Sequence, residues 1–298
     1  MKFPILVPGL ISLLLLTGCG VADEQLAVAP AETILLGSCE RPDDPALVRV
    51  FSEAQCALIK VAENPKQPDG RQIELAVMVL PAIARVAKPD PIFYLAGGPG
   101  QSAITSGPIV FSALLELRRQ REVILVDQRG TGRSNNLSCV APEAPEDFTL
   151  SSAAALAVEV NKLKDCLPTL DADPALYTTS IAVGDLDLVR RALGYEQINL
   201  LGISYGTRVA LVYLRQFSSH VRSLILDGVA PPSVNILAGA SADTDAALDR
   251  LFHDCQSSLA CAQAFPDLRD HFIALTQRLR DNPVEAEFRH PRTGASIL

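Results

Sequence analysis

The pentapeptide Gly202-Ile203-Ser204-Tyr205-Gly206 limits the possible folds of this chain more than any other stretch. It follows an apolar run at residues 198–201 and precedes residues 207–217, which contain no glycine or proline. This order predicts a buried strand, a sharp turn and a helix, with Ser204 projecting from the turn as in a nucleophile elbow. A serine hydroxyl needs such a position, because a base and a substrate carbonyl must both reach it. The alternative is a glycine–serine turn within an ordinary α/β unit.

A second glycine-rich stretch, Gly97-Gly98-Pro99-Gly100, follows a predicted strand at residues 91–96 and precedes a predicted helix at residues 112–121. Glycines after a strand let the backbone approach a ligand closely, and their N–H groups can face a developing negative charge. We therefore predict that this loop supplies half of an oxyanion hole. A tight loop that needs glycine only for its dihedral angles is the alternative.

A third stretch, residues 127–134, follows a predicted strand at residues 122–127. No nucleophile or base adjoins Asp127 and Arg129 in the sequence. We predict that these two side chains brace the loop through hydrogen bonds and take no part in the chemistry.

Strands and helices alternate from residue 91 to residue 227, which predicts an α/β fold with a mostly parallel sheet. Two further strands, at residues 56–62 and 73–80, are joined by a turn-forming segment and predict an antiparallel edge to that sheet. Helices are predicted at residues 151–166, 179–194, 242–259 and 267–281, and a hairpin around residues 291–294. In parallel sheets reactive groups collect at the carboxyl ends of the strands, where all three loops should meet.

The first residues combine one lysine, a short apolar run and small residues, which predicts an export signal at residues 1–18. A membrane-spanning anchor is the alternative, but the run is shorter than the roughly 20 residues that a span needs. Leu16-Thr17-Gly18-Cys19 resembles the lipobox of bacterial lipoproteins. That resemblance implies a lipid on Cys19 and a protein tethered in the cell envelope, at the outer membrane facing the periplasm. Residues 19–45 would then be a linker.

Without Cys19, six cysteines remain, an even number that suits disulfides in an oxidising compartment. They are Cys39, Cys56, Cys139, Cys166, Cys255 and Cys261. The sequence does not select one of the 15 possible connectivities, and sequential pairing is our prediction. We predict no metal site, because the chain has no C-x-x-C pair and no histidine at ligand spacing. The net charge of −8 argues against a nucleic-acid partner, since phosphate binding needs a basic face.

The three motifs together resemble the α/β-hydrolase superfamily, and in particular the secreted proline iminopeptidases and tripeptidyl aminopeptidases. The resemblance covers about residues 35–232, and Ala96 departs from the histidine that many members carry before the glycines. It implies Ser204 as the nucleophile and the backbone N–H groups of Gly98 and Tyr205 as the oxyanion hole. It also implies a peptide substrate with a free N-terminus, no cofactor, and an α/β-hydrolase core at residues 46–231 followed by a helical cap at residues 232–298.

The acid and histidine of a catalytic triad are not evident. His220 precedes a predicted strand, His253 and His271 lie in predicted helices with the character of surface residues, and His290, near a turn, is the best candidate. We therefore hypothesise that the chain is the N-terminal portion of a longer hydrolase, ends within the cap and alone hydrolyses little. Three functions stay open: a lipid-anchored exopeptidase, an esterase or lipase on the same fold, and an inactive binding lipoprotein.

Overall fold

The computed structural model describes residues 34–42, 44–45, 47–138, 152–284, 288–289 and 296–297. The chain divides between Asp227 and Gly228 into two compact units, and Ser204 lies in the first. Along the described ranges, no helix combines the length and the apolar character needed to cross a membrane.

A single sheet organises the first unit. Its strands are β1 (Gly37–Ser38), β2 (Gln55–Ala62), β3 (Gln72–Leu80), β4 (Ile92–Leu95), β5 (Val123–Val126), β6 (Ile198–Ile203) and β7 (Val221–Asp227). Among the described residues they follow the order β1-β2-β3-β5-β4-β6-β7. The last four strands in this order run parallel, and β1 to β3 are antiparallel to their neighbours. The predicted α/β architecture with an antiparallel edge is confirmed, and the carboxyl ends of β4, β5 and β6 share one edge of the sheet.

Helices cover both faces of this sheet. Those of the first unit are α1 (Val48–Glu53), α2 (Ala103–Arg118), α3 (Ser152–Cys166), α4 (Thr179–Ala192) and α5 (Tyr205–Gln216). Alternate residues of β3 enter different cores: Leu75 and Val77 pack with α4 and α5, whereas Met78 and Leu80 pack with α1 and α2. The predicted core face of α4 is confirmed, since Val183, Leu186 and Val189 are fully buried and Leu193 is partly buried against them.

Helix α2 begins nine residues before the predicted start at residue 112 and ends at Arg118 rather than at residue 121. The Ser102 hydroxyl caps it by accepting the N–H of Thr105 at 3.1 Å. Gly107 weakens the helical pattern in the sequence, but it lies where the helix approaches β5, and a Cβ there would come within 2.9 Å of Leu125 Cδ1. The helix therefore begins directly after the glycine-rich loop.

The second unit is helical. It contains α6 (Ile236–Ser257), α7 (Leu259–Ala264), α8 (Leu268–Asp281) and the short strands β8 (Phe288–Arg289) and β9 (Ser296–Ile297). The predicted helix at residues 242–259 is in fact longer at its start, and a separate short helix, α7, follows it. The antiparallel pairing of β8 with β9 agrees with the predicted hairpin, whose turn lies outside the described residues.

Two disulfides join cysteines that are neighbours in the sequence, as predicted. Cys39 bonds Cys56 and fastens β1 to β2, and Cys255 bonds Cys261 between α6 and α7. Closing the 17-residue separation of the first pair stabilises the fold by about 3 kcal/mol on loop entropy. Cys166 is also disulfide-bonded. Cys139 and Cys19 lie outside the described residues.

Candidate active site

Ser204 lies at the turn between β6 and α5 and is exposed. Its backbone angles, φ 53° and ψ −120°, are strongly disfavoured for a residue with a side chain. The surrounding backbone holds this conformation. The N–H of Ser204 donates to the Asp227 carbonyl at 2.8 Å, and its own carbonyl accepts the N–H and the hydroxyl of Thr207.

The two glycines of the pentapeptide are required by contacts within the turn. A Cβ on Gly202 would lie 2.5 Å from the Gly206 carbonyl oxygen, and a Cβ on Gly206 would overlap the Leu95 carbonyl. The start of α5 therefore packs directly on the backbones of β6 and β4. This spacing of glycines around a strained serine is that of a nucleophile elbow.

The loop at residues 97–101 lies beside Ser204, and we name it the oxyanion loop after the role that the sequence predicts for it. Leu95 of β4 pairs with Gly202 of β6, so the two strands end side by side. A Cβ on Gly97 would lie 3.3 Å from Ser204 Cβ, and Gly98 adopts φ 102°, which favours glycine. Both chain segments thus approach each other through their backbones.

Two backbone N–H groups are candidates to stabilise negative charge near Ser204. Tyr205 is the first residue of α5, so its N–H has no acceptor within the helix and lies at the positive end of the helix dipole. Gly98 lies three residues after Leu95, the last residue of β4, and Leu95 pairs with Gly202 of β6.

Asp127 braces its surroundings, as predicted. Its Oδ1 accepts the Ser102 hydroxyl at 2.7 Å and the N–H of Ile104 at 3.1 Å, and its Oδ2 accepts the N–H of Arg133 at 3.1 Å. Asp127 is 1% exposed. Its carboxylate therefore joins the start of α2 to the loop at residues 128–134. The sequence did not identify Ser102 as a partner, although a serine directly before a helix is a capping signal.

Arg129 is likewise structural. Its guanidinium forms a two-pronged ion pair with Asp185 of α4, at 2.6 and 2.8 Å, and donates to the Glu63 carbonyl at 2.6 Å. Burial raises the pKa of the Asp185 carboxyl, and the guanidinium opposes that rise. Because its donors are used within the fold, Arg129 ties α4 and the end of β2 to the loop, which agrees with the prediction.

A cavity of about 160 Å³ opens beside the elbow. The oxyanion loop, residues 128–131, Tyr177 and Tyr205 contribute to its walls. The Tyr205 hydroxyl shares a hydrogen bond of 2.6 Å with Thr179 at the start of α4. Burial and a hydrogen bond to Glu63 raise the pKa of Tyr177 to about 12, so its hydroxyl stays protonated and donates at 2.9 Å. The recess is therefore small and partly polar.

The histidines do not complete a triad within the first unit. His220 is the one histidine in that unit's sequence and precedes β7, which runs parallel to β6, so it lies at the opposite end of the sheet from Ser204. Its Nδ1 lies 3.0 Å from the Glu196 carbonyl oxygen. His253 on α6 and His271 on α8 are exposed in the second unit. His290 lies outside the described residues.

The comparisons with known proteins agree with this geometry. The family model for the alpha/beta hydrolase fold matches residues 90–246. The tripeptidyl aminopeptidase of Streptomyces coelicolor is 31% identical over 233 residues, which are 72% of this chain and 42% of that protein. Serine protease Hip1 of Mycobacterium tuberculosis is 28% identical over 200 residues, 63% of this chain and 38% of that protein. Carboxylesterase B of the same species is 30% identical over 262 residues, 82% of this chain and 49% of that protein.

The chain thus spans less than half the length of each of these curated relatives. The match to the family model covers more than half of the chain and contains the oxyanion loop, Asp127 and the pentapeptide around Ser204. Together with the sheet order and the strained elbow, it establishes that the chain belongs to the α/β-hydrolase fold family.

Proposed function

We propose that this protein is a serine hydrolase that releases N-terminal residues from peptides, in the manner of prolyl and tripeptidyl aminopeptidases, through an acyl-enzyme on Ser204. The observation that carries the proposal is the backbone of Ser204. A strained conformation of this kind costs on the order of 1–3 kcal/mol, and such strain clusters at functional sites. Here it exposes a hydroxyl beside a glycine loop, the arrangement that acyl transfer needs.

In the proposed reaction, Ser204 Oγ attacks the carbonyl carbon of the scissile bond and its proton passes to a base. The carbonyl oxygen becomes an oxyanion, which accepts hydrogen bonds from the N–H groups of Gly98 and Tyr205. The C–N bond then breaks, and the amine leaves with the proton from the base. Water hydrolyses the ester on Ser204 by the same steps and restores the hydroxyl.

The proposal assigns no base among the described residues. His220 lies at the wrong end of the sheet, and His253 and His271 are exposed on helices of the other unit. The chain therefore supplies the nucleophile and the oxyanion donors, and the triad acid and histidine are the parts of the site that experiment must identify.

The relatives named tripeptidyl aminopeptidase support a peptide substrate with a free N-terminus. We expect the protein purified from the cells that make it to cleave a tri-alanine p-nitroanilide. Acetylation of the N-terminus should lower kcat/KM by at least about 10²-fold, because a site that binds an ammonium group leaves its own polar groups unpaired when that group is masked. The release of p-nitroaniline measures both rates.

An esterase is the second candidate, and the match to carboxylesterase B favours it. It predicts rapid cleavage of p-nitrophenyl acetate and butyrate together with no difference between the free and acetylated peptide substrates. That outcome would replace the peptidase proposal with the esterase one, while Ser204 would keep its role.

We also propose that the mature protein is tethered to the bacterial outer membrane, facing the periplasm, through a lipid on Cys19. The lipobox-like residues and the disulfides support export, since disulfides persist in oxidising compartments. Radiolabelled palmitate should enter the wild-type protein and remain with the membrane fraction. Cys19→Ser should lose the label and become extractable without detergent, and a labelled Cys19→Ser protein would refute the assignment.

A further inference from the structure

We propose that Asp127 is a positioning residue that holds the oxyanion loop in register with Ser204, a role beyond bracing its own loop. The inference rests on the proposed function, which assigns the N–H of Gly98 to the oxyanion hole. Asp127 itself touches no reacting atom in this account. It acts through the chain segment that carries Gly98.

The oxyanion loop is held at both ends. At its start, β4 pairs with β6 up to Leu95 and Gly202, and Gly97 packs against Ser204 Cβ. At its end, Ser102 and Ile104 both donate to Asp127 Oδ1. Only three residues lie between Gly98 and Ser102. Because the start of this loop is fixed, a displacement of Ser102 from Asp127 should also displace Gly98.

The carboxylate itself has no room to move. Its other oxygen accepts the N–H of Arg133, and a Cβ on Gly132 would overlap Oδ2. Gly132 adopts φ 49°, so the loop at residues 128–134 closes tightly around the carboxylate. That loop is fixed in turn by Ser134, which accepts the N–H of Ala76 in β3 at 2.8 Å. Asp127 therefore connects the end of the oxyanion loop to strand β3 of the central sheet.

The three donors to Asp127 require an acceptor at both carboxylate oxygens. An asparagine offers one acceptor oxygen and an NH₂ group, so either the start of α2 or Arg133 loses its partner and faces a donor. Such a buried, unpaired donor costs about 1–3 kcal/mol. We expect the backbone to adjust in the oxyanion loop, because its glycines at residues 97, 98 and 100 allow a change of conformation most easily.

Asp127→Asn tests this inference, with Asp90→Asn as the matched control. Asp90 is a similarly buried aspartate, 8% exposed, that accepts Asn199 and Arg121 at the amino-terminal end of the strands. Both variants should lose thermal stability. We expect Asp127→Asn alone to lower kcat on the tri-alanine p-nitroanilide by about 10-fold with KM changed less than twofold, since an oxyanion donor acts mainly in the transition state.

Hydrogen exchange provides a readout that does not need turnover. In Asp127→Asn the backbone amides of residues 98 and 100–104 should exchange at least about 10-fold faster than in the wild type. In Asp90→Asn the exchange rates of the same amides should be unchanged. Equal effects of the two variants on kcat and exchange would overturn the inference, because they would show general loosening. Absence of Ser204-dependent hydrolysis in the wild type would refute the proposed function instead, and the exchange rates would still test the loop.

Ser102 keeps the inference testable if Asp127→Asn does not fold. Ser102→Ala removes one donor to Asp127 and the cap of α2, whereas Ser102→Thr keeps the hydroxyl at the same position. We expect Ser102→Ala to lower kcat and Ser102→Thr to restore most of it. Equal kcat values for alanine and threonine, both at the wild-type level, would contradict the role assigned to Asp127.

Discussion

Replacement of Ser204 by alanine is expected to abolish hydrolysis by this protein while leaving its fold intact. The nucleophile forms the bond on which the reaction depends, and its removal costs about 10⁶-fold in kcat in a fully assembled serine peptidase. The side chain is exposed at the elbow, so its loss creates no cavity. Release of p-nitroaniline from the tri-alanine substrate should fall to the rate of the buffer, and the melting temperature should stay within a few degrees of the wild type.

Ser204→Gly is the matched control for this result. Alanine keeps a Cβ in the strained conformation at φ 53°, whereas glycine removes the strain. The glycine variant should be as inactive as the alanine variant but more stable than the wild type by about 1 kcal/mol. Undiminished hydrolysis by either variant would show that another residue is the nucleophile. If cells that carry either variant behave as cells with the wild-type protein do, the inactive binding lipoprotein would be favoured.

Replacement of Gly206 by alanine should cause a large loss of stability from a single added methyl group. The new Cβ would overlap the Leu95 carbonyl and crowd that of Ala96 at 2.9 Å, and neither is a flexible side chain that can move aside. Either β4 or the start of α5 must shift, at a cost of about 3 kcal/mol or more. For a domain of this size the melting temperature should drop by about 10 °C, which differential scanning calorimetry measures.

Gly184→Ala provides the comparison for Gly206. This glycine lies within α4, and a Cβ on it would have no heavy atom within 4 Å. Alanine in a helix interior is better than glycine by about 0.5–1 kcal/mol, so this variant should be slightly more stable. A Gly206→Ala protein with wild-type stability would mean that the elbow is not packed against β4 as described.

The parts of the fold that the sequence predicted are those with strong local patterns. Residues 198–206 combine an apolar strand with two glycines, Gly202 and Gly206, that have no space for a side chain, so the turn at Ser204 was evident without tertiary information. The stripe of Val183, Leu186 and Val189 on α4 was equally clear, because helical spacing alone places these residues on one face.

The parts that were missed depend on contacts distant in the sequence. The start of α2 is determined by Ser102 and by Asp127, which lies 25 residues further along the chain. Gly107 made the start of α2 look non-helical in the sequence, but a glycine is needed there because Leu125 of β5 packs closely against the helix. A pattern read along the chain contains no information about which strand a helix will meet, so both features needed the structure.

The most direct test of the central claim is covalent labelling of the protein, isolated from the cells that make it, with a fluorophosphonate probe. Trypsin should release residues 192–208 as one peptide, in which Ser204 is the only serine. The account predicts that mass spectrometry finds the phosphonyl group on this peptide in the wild type and not in Ser204→Ala. A phosphonyl group on any other serine, or a wild-type protein that remains unlabelled while it hydrolyses substrate, would contradict the assignment of Ser204 as the nucleophile.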